Sequence, residues 1–145
     1  MQVRSFSFEQ SLLGQVGRLA SQVERQLEAD LKVRFNLTFS QFRVLTVLRG
    51  LGETSQRPLA QELGLSPALV TRQLEALSQR GLVTQKQNPA SRRENVVALT
   101  VKGERAAGEL AEAVLLIEQQ LLADLGLEEE TALARVLAKL IKPEA

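Results

Sequence analysis

The chain of 145 residues contains no cysteine, histidine, tryptophan or tyrosine, and five phenylalanines are its whole aromatic complement. The missing Cys and His together remove thiolate nucleophiles, disulfides, zinc sites built on those ligands, and imidazole acid–base catalysis. An enzyme made from this chain would have to work with carboxylates, lysines and hydroxyls. The sequence shows no paired constellation, phosphate loop or metal spacing of them, so no metal, no cofactor and no enzymatic activity is expected. No uninterrupted apolar stretch approaches the ~20 residues that cross a bilayer, and MQVRSFSFEQ lacks the apolar run of a secretory signal. The expectation is a cytoplasmic protein without membrane contact. A hydrophobic content of 44% with only 3% aromatics makes the core one of Leu, Val and Ala, and the length suits a single compact domain.

Charge sums to +1 but is unevenly placed. Residues 1–53 carry 7 Lys/Arg and 5 Asp/Glu, residues 54–105 carry 8 and 4, and residues 106–145 carry 3 and 8. A basic middle beside an acidic end gives one face suited to a polyanion and another turned from it.

The basic middle holds the stretch SPALVTRQLEALSQR, Ser66 to Arg80. Ser66 is a good N-cap, Pro67 fits the first helical position, and Gly81 ends the segment. Helical spacing puts Val70, Leu74 and Leu77 on one face and Ala68, Thr71, Arg72, Glu75 and Gln79 on the other. A small, hydroxylated, cationic outer face permits close approach to base edges, and a solvated surface helix has the same composition. Just upstream, RPLAQELG reads as a short helix closed by Gly64, with Thr54 and Ser55 as competing N-caps and Pro58 in the first turn. Only Leu65 separates the two helices, which is helix-turn-helix geometry.

Around this core, Leu12, Val16, Leu19, Val23 and Leu27 mark a helix from Phe8 to about Leu31 with a coiled-coil-like stripe. A short connection from Val33 to Leu37 follows. Thr38 to Gln41 then reads as a capping box opening a second helix that faces Phe42, Leu45 and Leu48 inward. Downstream of Gly81, residues 82–86 and 95–100 are β-favouring runs flanking QNPASRRE, a basic hairpin with Arg92 and Arg93 at its tip. Thr100 or Lys102 opens a last long helix striped by Leu110, Val114, Ile117, Leu121 and Leu125. Beyond Gly126, residues Leu133, Val136, Leu137, Leu140 and Ile141 make a final one. The terminal stripes look like helix–helix seams and lead to the expectation of a symmetric dimer, with Leu12, Val16, Ile117 and Leu121 needing cover.

The order helix, helix, LAQELGLSPALVTRQLEALSQRGLV, then NPASRRENVVALT leading into a long helix, resembles the MarR family of winged-helix transcription regulators over nearly the whole chain. The resemblance implies a mainly α fold. A winged helix-turn-helix DNA-binding core with a small two-stranded wing would occupy residues 36–100, and dimerisation helices residues 1–35 and 101–145. It implies a homodimer that binds double-stranded DNA and, in many members, a small phenolic or aromatic carboxylate effector that releases it. Arg72, Thr71 and Ala68 would meet base edges in the major groove from the helix that Ser66 caps. Arg57 and Lys86 would meet phosphates, and Arg92 and Arg93 would lie at the wing, with Arg93 in the minor groove. Phe35, Phe39 and Phe42 cluster at the junction where an effector pocket would form, and simple core packing accounts for them equally. Where the family's wing reads D-P-x-D-R-R, this chain has Asn88 and Ser91, and Ser91 offers Arg93 no carboxylate. A winged-helix adaptor that binds proteins and not DNA is the alternative.

Overall fold

Ser11 decides where the first long helix begins. Its hydroxyl oxygen accepts the Gly14 N–H at 3.1 Å, so helix α1 spans Leu12–Asp30 and a single 3-10 turn, Phe8–Gln10, precedes it. The start predicted at Phe8 is therefore corrected to Leu12. The Phe8 carbonyl packs against Gly14 so closely that a side chain there would collide with it. The computed structural model describes residues 7–143, apart from the side chains of Arg92 and Arg93.

At its far end α1 does not stop where the sequence predicts a connection. It widens into a π-helical turn, Leu31–Phe35, closed by Asn36 in the left-handed conformation at φ 53° and ψ 45°. The Asn36 and Leu37 N–H groups both reach back to the Leu31 carbonyl. Helix α2 (Phe39–Leu51) then opens with the predicted capping box: Gln41 N–H donates to Thr38 Oγ1 at 3.2 Å and Thr38 N–H to Gln41 Oε1 at 3.1 Å. Val44, Leu45 and Leu48 are buried on its inner face, and Phe42 is half-buried.

Thr54 and Ser55 form a two-residue strand, β1, ahead of helix α3 (Gln56–Leu63). Ser55 occupies the N-cap position without a side-chain capping bond, so the predicted hydroxyl cap is corrected: these residues act through their backbone. Gly64 ends α3 at φ 63°, and the Leu65 N–H returns to the Ala60 carbonyl at 3.2 Å, a Schellman-type stop. Helix α4 (Pro67–Gln79) follows at once, with Leu69 N–H bonded to Ser66 Oγ at 3.3 Å. Leu59, Leu63, Val70, Leu74 and Leu77 are buried along α3 and α4, giving these short helices an apolar floor.

Strands β2 (Val83–Asn88) and β3 (Ser91–Leu99) form the hairpin, and β1 joins β3 through Thr54↔Val97 and Ser55↔Val96. The sheet among the described residues is thus three-stranded, ordered β1-β3-β2, where the sequence predicted two strands. The added strand pins the hairpin root to the start of α3. Toward the tip the register jumps: Gln87 pairs with Asn95, yet Asn88 pairs with Ser91, so residues 92–94 form a bulge. Asn88 Oδ1 accepts the Ala90 N–H at 3.0 Å across the tip turn, so Asn88 supplies the acceptor that an aspartate would.

Helix α5 (Val101–Leu121) opens on Thr100, whose Oγ1 accepts the Gly103 N–H at 3.0 Å and donates to the Gly81 carbonyl at 2.6 Å. The chain divides into two compact units, Met1–Ala111 and Glu112–Ala145, and α5 runs from the first into the second. In the second unit, helix α6 (Leu127–Leu140) leaves Leu133, Val136, Leu137, Leu140 and Ile141 exposed. In the first, Leu12 is 70% exposed and Val16 and Leu19 are also open. Ile117, expected to need a partner, is only 6% exposed, and Leu121 is half-buried; Leu115 and Leu116 are the exposed leucines of that part of α5. Helix α5 therefore turns a different edge outward from the one the stripe implied.

Gly103 sits where a Cβ would strike the Leu82 carbonyl, whereas Gly50, near the end of α2, has open space around it. Gly103→Ala is expected to destabilise the protein by about 1–3 kcal/mol through forced separation of packed backbone. Gly50→Ala should be neutral or stabilising by up to about 1 kcal/mol. Denaturant unfolding of the two variants beside the parent checks both.

Candidate nucleic-acid interface

The buried face of α4 fixes what the other face can offer. With Val70, Leu74 and Leu77 fully buried, helical spacing leaves Ala68, Arg72, Glu75 and Gln79 exposed, as the sequence predicts. Ser66 is exposed at the helix start, with its oxygen engaged as the cap. Thr71 is half-buried, and its hydroxyl is already occupied on both sides: it donates to the Pro67 carbonyl at 2.9 Å and accepts from Gln56 Nε2 at 3.3 Å. A hydroxyl in that state offers an incoming base a remaining lone pair and a methyl group, but no free hydrogen.

The Gln56–Thr71 bond ties the first residue of α3 to α4, a link that sequence reasoning missed. No periodic signal marks Gln56, which reads as an ordinary polar residue at a helix start. Beside this link lies an open cavity of about 690 Å³, lined by Gln56, Arg57, Gln61, Leu65 and Pro67 on the helix-turn-helix side and by Glu94 and Asn95 of β3. Arg57 is exposed at its edge, and Lys86 is exposed on β2. Arg57, Arg72 and Lys86 therefore present cations from α3, α4 and the hairpin, separate in sequence and carried by one unit. The Arg92 and Arg93 side chains lie outside the described residues, and their backbone belongs to the bulge of β3.

The three phenylalanines expected around an effector pocket are only partly brought together. Phe39 and Phe42 stack with ring centroids 5.9 Å apart, while Phe35 has the Arg34 guanidinium 5.2 Å from its ring centre. All three are half-buried, so they are not the sealed core that bulky aromatics usually make. A cavity of about 340 Å³ between the end of α1 and the start of α2 is lined by Glu28, Lys32, Asn36, Leu37, Thr38 and Phe39, and so takes in one of the three. Among the described residues no group of three or more His, Cys, Asp or Glu could hold a metal, and no helix is long and apolar enough to cross a membrane.

Two helices joined at Gly64, with a β-hairpin rooted beside them, define a winged helix-turn-helix protein. The model of the MarR family matches residues 37–95, which takes in α2, the helix-turn-helix and most of the hairpin. The HTH-type transcriptional regulator YwoH of Bacillus subtilis is 30% identical over 125 residues, covering 86% of this chain and 90% of that protein. The chain belongs to the MarR family, and these relatives are transcriptional regulators, not enzymes. Among solved structures, the transcriptional repressor CouR bound to a 23-mer DNA duplex superposes with a TM-score of 0.84 at 25% identity, covering 98% of this chain and 100% of that one. BpsR of Bordetella bronchiseptica, whose DNA binding is regulated by 6-hydroxynicotinic acid, has a TM-score of 0.71 at 29% identity and covers 87% and 98%.

At Ser66 the capping bond can be tested apart from charge at the helix end. Ser66→Ala should lower stability by about 0.5–2 kcal/mol, while Ser66→Asp keeps the cap and should leave stability near the parent's. The added carboxylate should nonetheless weaken binding to any DNA duplex. Thermal unfolding and equilibrium binding of both variants check the two effects independently.

Proposed function

We propose that this protein is a homodimeric, sequence-specific DNA-binding regulator, acting in the cytoplasm as a repressor on a pseudo-palindromic operator. The observation that carries the reading is α4: a helix with a fully buried apolar face whose opposite face exposes Ala68, Arg72 and Gln79. CouR, which superposes over nearly the whole chain, is a repressor bound to duplex DNA. Arg72 is the principal reader of a base edge, since its guanidinium can bond two acceptors of a guanine at once. Ala68 meets a thymine methyl, Thr71 contributes its methyl and one lone pair, and Ser66 stands at the helix end nearest the backbone. Arg57 and Lys86 hold phosphates, and Arg92 and Arg93 approach the adjacent minor groove from the wing. Residues 36–100 form the reading part, and residues 1–35 and 101–145 supply the dimer contacts.

Dimerisation is supported by the exposed apolar residues Leu12, Val16 and Leu19 of α1 and by those of α6, each too apolar to leave in water as a continuous face. Two-fold symmetry then requires half-sites about one helical turn, roughly 34 Å, apart. The protein should sediment as a dimer at micromolar concentration, and Leu12→Glu combined with Val16→Glu should shift it to monomer. A folded parent monomer at that concentration would sink the dimer reading.

Release by a small organic effector is supported by the cavity beside Phe39, whose ~340 Å³ lies at the lower end of ordinary ligand sites. BpsR, whose DNA binding a hydroxylated aromatic acid regulates, is a precedent. Phe35 and Phe42 would flank an occupant at that junction, and the ligand would act by favouring a spacing of the two reading helices that misfits the operator.

Selection of bound genomic fragments by the purified protein tests the reading directly. Arg72→Ala is expected to cost about 1–3 kcal/mol on the selected operator and to leave binding to unrelated duplex little changed. Affinity for both should fall steeply with salt. Absence of DNA binding at low salt would instead favour a protein-binding adaptor.

A further inference from the structure

Arg80 caps the C-terminus of α4, but its side chain works elsewhere. Nη1 donates to the Asn36 carbonyl at 2.6 Å and Nη2 to the Phe35 carbonyl at 2.8 Å. Those two carbonyls close the π-helical turn at the end of α1, where Asn36 leaves the helix in the left-handed conformation. They carry the negative end of the helix dipole, so a guanidinium there gains from charge as well as from two aligned hydrogen bonds. The Arg80 carbonyl in turn accepts from Lys102 Nζ at 3.0 Å, in the first turn of α5. One residue thus joins the end of α1, the end of α4 and the start of α5, all within the first unit.

Ending α4 does not require this. Gly81 at φ 72°, with the Leu82 N–H returned to the Leu77 carbonyl at 3.0 Å, already terminates the helix. Nor does Arg80 resemble a contact held ready for phosphate, because it is half-buried and its fork is engaged with protein carbonyls. What the two bonds do is fix the end of the reading helix against the helix that carries the exposed residues Leu12, Val16 and Leu19.

We infer that Arg80 is a positioning residue for DNA recognition: its fork on the Phe35 and Asn36 carbonyls sets the placement of α4 relative to α1, and through the dimer the separation of the two reading helices. This rests on the dimeric DNA-binding function proposed above. Arg72 chooses the base; Arg80 chooses the distance between half-sites.

The test uses the full chain and the variants Arg80→Gln, which loses charge and fork, and Arg80→Lys, which keeps the charge and loses the fork. Binding is measured to the selected operator, to the same operator with one base pair added or removed between half-sites, and to unrelated duplex, at a temperature where each variant is folded. Arg80→Gln should lose about tenfold on the native spacing and much less on the altered spacings, so that the preference for the native spacing weakens, with unrelated duplex unchanged. Arg80→Lys should recover part of the preference. An equal loss on all the duplexes, or none on any, overturns the inference. Amide hydrogen exchange separates this from failure of the functional reading. If the parent binds no DNA, that reading fails, while Arg80→Gln should still speed exchange at Asn36 and Leu37; unchanged exchange there overturns the tie itself.

Discussion

The Leu82 carbonyl sits at a point where three elements of the first unit meet closely. It accepts the Thr100 N–H at 3.1 Å, and Gly103 passes it with room for a hydrogen and nothing larger. One residue earlier, the Gly81 carbonyl accepts the Thr100 hydroxyl at 2.6 Å. The exit of α4, the root of the sheet and the entry to α5 are therefore held together by two backbone carbonyls and by the amide and hydroxyl of Thr100. A carbonyl enclosed in this way must find a donor within the protein, because water cannot reach it without parting the elements. Movement of any one of the three at this point disturbs the bonds of the other two.

That joint explains how an 8-residue α3 and a 13-residue α4 can serve as a rigid platform. Neither helix is long enough to be stable in isolation, so each depends on tertiary support. Aliphatic burial along Leu59, Leu63, Val70, Leu74 and Leu77 supplies the attraction, but such packing has little directionality. Direction comes from a few polar links: Gln56 to Thr71, Ser66 to the Leu69 amide, and Arg80 to the end of α1. Among the described residues no buried polar side-chain atom is left without a partner, so the polar links carry no uncompensated desolvation cost.

Much of this architecture could be read from the chain, and what escaped has a physical pattern. Thr38, Ser66, Pro67, Gly64 and Gly81 announce helix ends because their own side chains, or the lack of one, do the capping. The apolar stripe of α4 announces its buried face by period. Strand β1 carries no such mark: Thr54 and Ser55 pair with Val97 and Val96 through backbone groups that any residue possesses. The π-helical turn was equally silent, since an extra residue in a helix turn is decided by packing at Leu31 and by Asn36 tolerating a left-handed backbone. Within the candidate interface, exposure of Ala68 and Arg72 followed from helical spacing, whereas Arg57 and Lys86 entered through the family resemblance and not through any period. The Gln56 bond to Thr71 and the engagement of Arg80 depended on partners outside their own helix, which no local reading supplies. Ile117 was misjudged because a stripe gives a face to a helix without saying which neighbour covers it.

The bulge of residues 92–94 gives the hairpin two independent halves. Near the root, β3 is held on both sides, by β1 and by β2, and its register there is fixed by Thr54↔Val97 and Gln85↔Val97. Beyond Gln87↔Asn95 the pairing is already broken once, so residues can be exchanged, gained or lost at the tip without passing a register error down to the root. Sequence drift at the tip is thereby uncoupled from the helix-turn-helix. A substitution at the tip, at Asn88 or Ser91 for example, can therefore change the outer end of the hairpin while α4 stays where it is.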